Sequence, residues 1–209
     1  MDQTAFSWVN VGVIKRSKWD DHYALQARKE HRLARSVYKL EEIDKKYGLI
    51  RPQDRILDLG CYPGSWSLYC LKKVGSKGEV VGMDLKQPKG LSAPNFRFLK
   101  ADILGLDIEW LLREVGPRDT IISDLAPQTT GIAVTDTARS LSLAEEAFRI
   151  ALALLRKGGN FFCKIFEGED LKTFREGVLR KFGRGRTVRP TAVRKASREV
   201  YLLGLGLKE

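Results

Sequence analysis

Short apolar runs alternate with segments of helical spacing along most of this chain, and few architectures accommodate that order. "RILDLG" (55–60), "GEVVGMDL" (78–85), "FRFLKADI" (96–103), "DTIISDLAP" (119–127), "NFFCKIF" (160–166) and "REVYLLGLGL" (198–207) read as strands. Between them, "SVYKLEEIDKKYG", "SWSLYCLKKVG", "IEWLLREVG" and "DLKTFREGVLRKFG" place apolar residues at helical intervals. In "TDTARSLSLAEEAFRIALALLRKGG", Asp136 is expected to cap a helix that buries Leu141, Ala144, Phe148 and Leu152, with Gly158 and Gly159 ending it. Strand–helix alternation of this kind predicts an α/β domain with a mostly parallel sheet. Ligands of such sheets gather outside the carboxyl ends of the strands.

Acids cluster at those ends. "ILDLGCYPGSWS" sets Gly60 and Gly64 between a strand and a helix, where glycine lets a ligand approach the backbone. Asp84 closes the next strand, where an acid can accept hydrogen bonds from ribose hydroxyls. A nicotinamide dinucleotide is disfavoured, because the turn lacks the GxGxxG glycine that admits a pyrophosphate and Pro63 removes an N–H donor. Asp58, Asp84, Asp102 and Asp124 suit hydroxyls, an amine and a sulfonium cation instead, which points to S-adenosylmethionine. Trp66 either flanks an adenosine there or anchors the helix. Lys164 is the odd residue: a charge inside "FFCKIF" is costly unless it is paired, neutralised or working.

The chain of 209 residues carries a formal charge of +11, an excess that favours polyanions. The charge falls in two blocks. Lys15–Lys39 holds eight Lys/Arg against three acids, and Arg180–Arg198 holds eight with no acid, a distribution expected of a nucleic-acid footprint. Residues 1–35 read as a basic N-terminal arm before a domain over 36–209, with Trp8, Trp19 and Tyr38 available either to stack on bases or to pin the arm. No apolar run approaches the length of a membrane span, no secretion signal is evident, and the three cysteines form no CxxC pair. A cytoplasmic protein without a metal site or membrane partner is expected.

Four segments in order resemble the FtsJ/RrmJ family of 2′-O-ribose RNA methyltransferases. They are "DLGCYPGSWS" for its cofactor loop DLGxxPGGWS, "SDLAPQTTG" for SDMAPxxSG, "CKIFEGE" for its lysine strand, and "SREVY". The resemblance runs from about Trp19 to the C-terminus. It implies a Rossmann-like, S-adenosylmethionine-dependent fold with a mostly parallel seven-stranded sheet and helices on both faces. It places a Lys-Asp-Lys-Glu tetrad on Lys39, Asp124, Lys164 and Glu199. Cofactor contacts are implied at Asp58, Gly60, Gly64, Trp66, Asp84, Asp102 and Asp124. A neutral Lys164 would act as general base, and a charged one would steer the 2′-hydroxyl and stabilise developing alkoxide. Asp124 would hold Lys164, Glu199 would orient a lysine or the ribose, and Lys39 would line the site from the arm side. The bacterial large-subunit ribosomal RNA members match best in length. They imply a monomer that methylates a uridine in the A loop of that RNA, free or within the large ribosomal subunit. Methylation of transfer RNA and a non-catalytic RNA-binding assembly role are the alternatives. Ser65 and Tyr62 depart from the family pattern and bear on the wall beside the methionine end.

Overall fold

The computed structural model describes Tyr23 and residues 34–208; nearly all of the expected arm, with Trp8 and Trp19, lies outside the described residues. The elements in chain order are α1 (Val37–Tyr47), β1 (Arg55–Leu59), α2 (Ser65–Val74), β2 (Glu79–Asp84), β3 (Phe96–Lys100), α3 (Ile108–Glu114), β4 (Arg118–Ser123), α4 (Ala133–Leu154), β5 (Leu155–Phe166), α5 (Leu171–Arg180), β6 (Phe182–Val188) and β7 (Glu199–Leu207). Local chemistry sets their limits. Helix α1 ends at Gly48, whose φ of 64° lets its N–H return to the Asp44 carbonyl at 2.8 Å, and Lys45 and Lys46 sit where the helix dipole favours cations. Helix α3 starts on the Asp107 carboxylate, which accepts from the N–H groups of Glu109 and Trp110.

The seven strands form one sheet in the order β3-β2-β1-β4-β5-β7-β6. Every pairing from β3 to β5 is parallel, and β7 runs antiparallel to both β5 and β6. Chain order reverses between β1 and β4, which makes their carboxyl ends the natural crevice. Alternate side chains feed two cores, as the strand period requires. Leu57, Ile121, Phe161 and Leu202 pack with α3, α4 and α5 on one face. Ile56, Ile122, Phe162 and Tyr201 pack with α1 and α2 on the other. Among the described residues no helix is long and apolar enough to cross a membrane, and no group of three or more His, Cys, Asp or Glu is placed to hold a metal ion.

Three sequence expectations need correction. The segment expected to be the end of a helix and a basic block contains strand β6: Phe182–Val188 pairs with Leu207–Tyr201 along the sheet edge. Its exposed Arg184 and Arg186 hide the alternation that marks a strand. Helix α4 spans Ala133–Leu154, so Asp136 lies inside its first turn rather than at the cap, and Gly158 and Gly159 fall within β5 rather than ending the helix. The Asp136 carboxylate accepts from the N–H groups of Thr130 and Gly131 and from the Thr130 hydroxyl, bonds that hold it below the usual carboxylate range. The buried face of α4 runs through Ser140, Ala144, Ala147, Ala151 and Leu154, leaving Leu152 exposed.

Candidate active site

Gly60 leaves β1 with φ 77°, and its N–H bonds the Met83 carbonyl at 2.8 Å. A Cβ there would lie 2.9–3.1 Å from Leu125, so this position needs glycine both for its backbone and for the close pass of the chain after β4. Gly64 then opens α2 with φ 106°. Beside this turn is a cavity of about 360 Å³, lined by Gly60, Asp84, Asp102 and Asp124 and walled by apolar residues including Ile103, Leu125 and Leu143. Its volume lies in the range of small-molecule sites, about 300–1,000 Å³. Asp84 holds the rim together, accepting from the Tyr62 N–H at 3.0 Å and the Lys86 N–H at 2.9 Å. Asp102 accepts from the Leu104 N–H at 3.0 Å. Three carboxylates over an apolar wall fit a nucleoside carrying amine and cation, the chemistry expected of a methyl donor.

Three of the expected cofactor residues stand back from this cavity. Gly64 shapes the turn without lining it. Asp58 is fully buried, with one oxygen accepting from the Ser67 hydroxyl at 2.6 Å and Oδ1 without a hydrogen-bond partner. Burial, with the Asp124 and Asp84 charges adding to it, raises its carboxyl to about 7. Trp66 does not flank the cavity: it is buried, stacks 5.7 Å from Phe162, and donates from Nε1 to the Ser36 carbonyl at 2.9 Å. It anchors α2 to the segment before α1. The departures divide as well, since Tyr62 lines the cavity whereas the Ser65 hydroxyl meets that of Ser36 at 3.2 Å.

The four tetrad residues come together at the carboxyl rim. Lys164 projects from β5 toward the same face as Phe162, 7% exposed, and its Nζ donates to the Asp124 carbonyl at 2.6 Å and pairs with Asp124 Oδ1 at 3.2 Å. Lys39 Nζ pairs with Glu199 Oε1 at 2.5 Å. Tyr201, which sequence reasoning passed over, joins these two pairs. Its hydroxyl lies 3.0 Å from Asp124 Oδ1 and 2.6 Å from Glu199 Oε1. Burial, then the two carboxylates, holds the phenol well above its ordinary range, so it keeps a proton to donate. The signal was the strand period: Glu199 and Tyr201 are two residues apart on β7, and Tyr201 pairs in register with Lys164. The result is one hydrogen-bonded line, Lys39–Glu199–Tyr201–Asp124–Lys164, whose Asp124 also lines the acid-rimmed cavity. Tyr38, the described member of the expected base-stacking set, packs its ring 5.5 Å from Tyr23.

Comparison with known proteins identifies the family. The chain is 45% identical over 195 residues to the ribosomal RNA large subunit methyltransferase E of Desulfosudis oleivorans, covering 93% of this chain and 94% of that one. It is 44% identical over 191 residues to the enzyme of the same name from Bdellovibrio bacteriovorus, covering 90% and 97%. A crystal structure described as a ribosomal RNA methyltransferase of Plasmodium falciparum superposes with a TM-score of 0.72 at 26% identity, over 83% of this chain and 97% of that one. The model of the FtsJ-like methyltransferases matches residues 33–207, nearly the whole described chain, and the chain belongs to that family.

Proposed function

We propose that this protein transfers a methyl group from S-adenosylmethionine to a ribose 2′-oxygen of large-subunit ribosomal RNA, at a uridine of the A loop. The observation that carries the reading is the line of five side chains from Lys39 to Lys164, whose Asp124 borders the acid-rimmed cavity. Relatives 44–45% identical along nearly their whole length, named for large-subunit ribosomal RNA, support the substrate. S-adenosylmethionine supplies an electrophilic methyl on a sulfonium. Asp84, Asp102 and Asp124 would hold it, with the Gly60 turn passing close beside it.

The chain's own task is to present a 2′-oxygen and manage its proton. As an ammonium, Lys164 spends two donors on Asp124 and has a third for the 2′-oxygen, where it steadies charge as the O–C bond forms. As a neutral amine it takes the hydroxyl proton itself. Asp124 fixes Lys164, Tyr201 ties Asp124 to Glu199, and Glu199 pairs with Lys39.

The test is turnover of labelled S-adenosylmethionine on ribosomal RNA, followed by alkaline hydrolysis. A 2′-O-methyl removes the internal nucleophile, so one linkage resists cleavage. Lys164→Ala should lose most of kcat while both ligands still bind, because its contact strengthens only in the transition state. Lys39→Ala should be milder. Product RNA that hydrolyses at every position, or full turnover by Lys164→Ala, overturns the reading.

A further inference from the structure

The second basic block does not converge on the active site. Strand β6 runs antiparallel to β7, so Val188 pairs with Tyr201 at the catalytic rim while Arg184 pairs with Leu205 toward the other end. From Glu199 to Leu205 the strand covers about 20 Å at roughly 3.3 Å per residue. At the rim, Arg189 is engaged by the carbonyls of Arg194, Lys195 and Ser197, and Arg198 by Ala133 and Thr137. These arginines build the β6–β7 loop. Arg184 and Arg186 are exposed and make no such bonds among the described residues.

Around them is a second cavity of about 360 Å³, lined by Tyr47, Arg51, Asn160, Arg184 and the backbones of Gly48, Gly158, Gly183 and Gly206. Among the described residues no carboxylate lines it; the nearby Asp54 accepts from the Arg51 N–H at 2.8 Å. Asn160 is already committed, donating to the Leu49 carbonyl and accepting from the Gly206 N–H. Arg186 lies 5.2 Å over the Tyr47 ring, which also has the Lys46 ammonium 5.4 Å from its centre. A guanidinium over a ring face keeps N–H donors for an anion, and Arg51 and Arg184 bring the same demand to the cavity lining. Helix α1 connects the two ends, with Lys39 in the tetrad and Tyr47 at this cavity.

We propose that this glycine-walled cavity is a second RNA-binding site that takes the phosphodiester backbone of a ribosomal RNA strand remote from the target nucleotide. The charge is complementary, and the glycines let a phosphate come close to the main chain. This inference rests on the RNA-methylating reading. The enzyme then grips folded RNA at two places, which makes a long RNA a better ligand than a short hairpin carrying the target loop.

The test compares wild type with R51Q/R184Q, both exposed positions, and with R51E/R184E, after checking that S-adenosylhomocysteine affinity and melting are retained. Binding to transcribed large-subunit ribosomal RNA and to the short hairpin is measured across a salt series. On the long RNA the double variant should lower the log–log salt slope by about 1.4, two contacts at roughly 0.7 each. KM for long RNA should rise with kcat held, and the preference for long over short RNA should shrink. An unchanged slope and preference overturn the proposal. So does a loss seen on assembled subunits but absent on naked RNA, which would assign the cavity to a ribosomal protein. Should wild type methylate no RNA, the functional reading fails, and the binding series still decides the cavity.

Discussion

At the scale of single residues, one phenol and one buried acid have different tasks. Tyr201 gives its single O–H to a pair of carboxylates while its ring stacks 4.7 Å from Phe162. Tyr201→Phe keeps the stack and deletes the link between the two lysine–acid pairs. A hydrogen bond to a charged group is worth about 1.5–3 kcal/mol, so kcat should fall roughly 10- to 150-fold with cofactor affinity little changed. Full turnover by this variant would reduce Tyr201 to a packing residue. Asp58 acts on stability instead. Its carboxyl, raised from 3.8 to about 7, binds a proton more tightly in the folded chain than in the unfolded one. The folded state therefore holds the extra proton between about pH 4 and 7, and the stability this group contributes below that window is lost as pH rises through it. Asp58→Asn keeps an acceptor for Ser67 without a buried charge, so it should melt above the parent at pH 8 and converge with it near pH 4. Parallel melting curves at all pH values would contradict that.

At the scale of elements, β7 does most of the organising. It lies between β5 and β6, carries Glu199 and Tyr201, and is crossed at Gly204 by the Phe182 ring. A Cβ at Gly204 would come within 2.4 Å of that ring, itself stacked 6.2 Å from Phe161. Gly204→Ala should cost about 1–3 kcal/mol in urea denaturation, as overpacked cores do, while S-adenosylhomocysteine binding at the far rim persists. The parallel strands were legible because their apolar runs end in rim acids and glycines. Strand β6 was not, since an exposed edge made of glycine and arginine has no apolar face to show. The tetrad came from resemblance, and the fold brings its four members together. Of the two readings of Trp66, the structure favours the helix anchor, because sequence adjacency to the turn says nothing about which side of α2 faces it. The tetrad-to-Tyr201 bridge was invisible until β5 and β7 were set in register.

At the scale of the whole molecule, charge and sheet are arranged at cross purposes to the sequence. The second basic block, which looks like one flank of a core, is spread by the antiparallel turn of β6 and β7 along the sheet edge, from the rim to the opposite end. Overall affinity for RNA should still fall steeply with salt, whereas affinity for S-adenosylhomocysteine, set by short contacts in the cavity, should change little. Equal salt dependence for both ligands would mean that the excess charge is solvated surface alone. The Trp66–Ser36 bond has a consequence of another kind. It runs from the helix opened by the cofactor turn to the segment leading into Lys39. Such a strut offers a route by which one ligand biases the other, and any linkage it carries is reciprocal. Saturating S-adenosylhomocysteine should tighten RNA binding by the same factor that RNA tightens S-adenosylhomocysteine, and Trp66→Phe, which keeps the ring and loses the N–H, should bring that factor toward one.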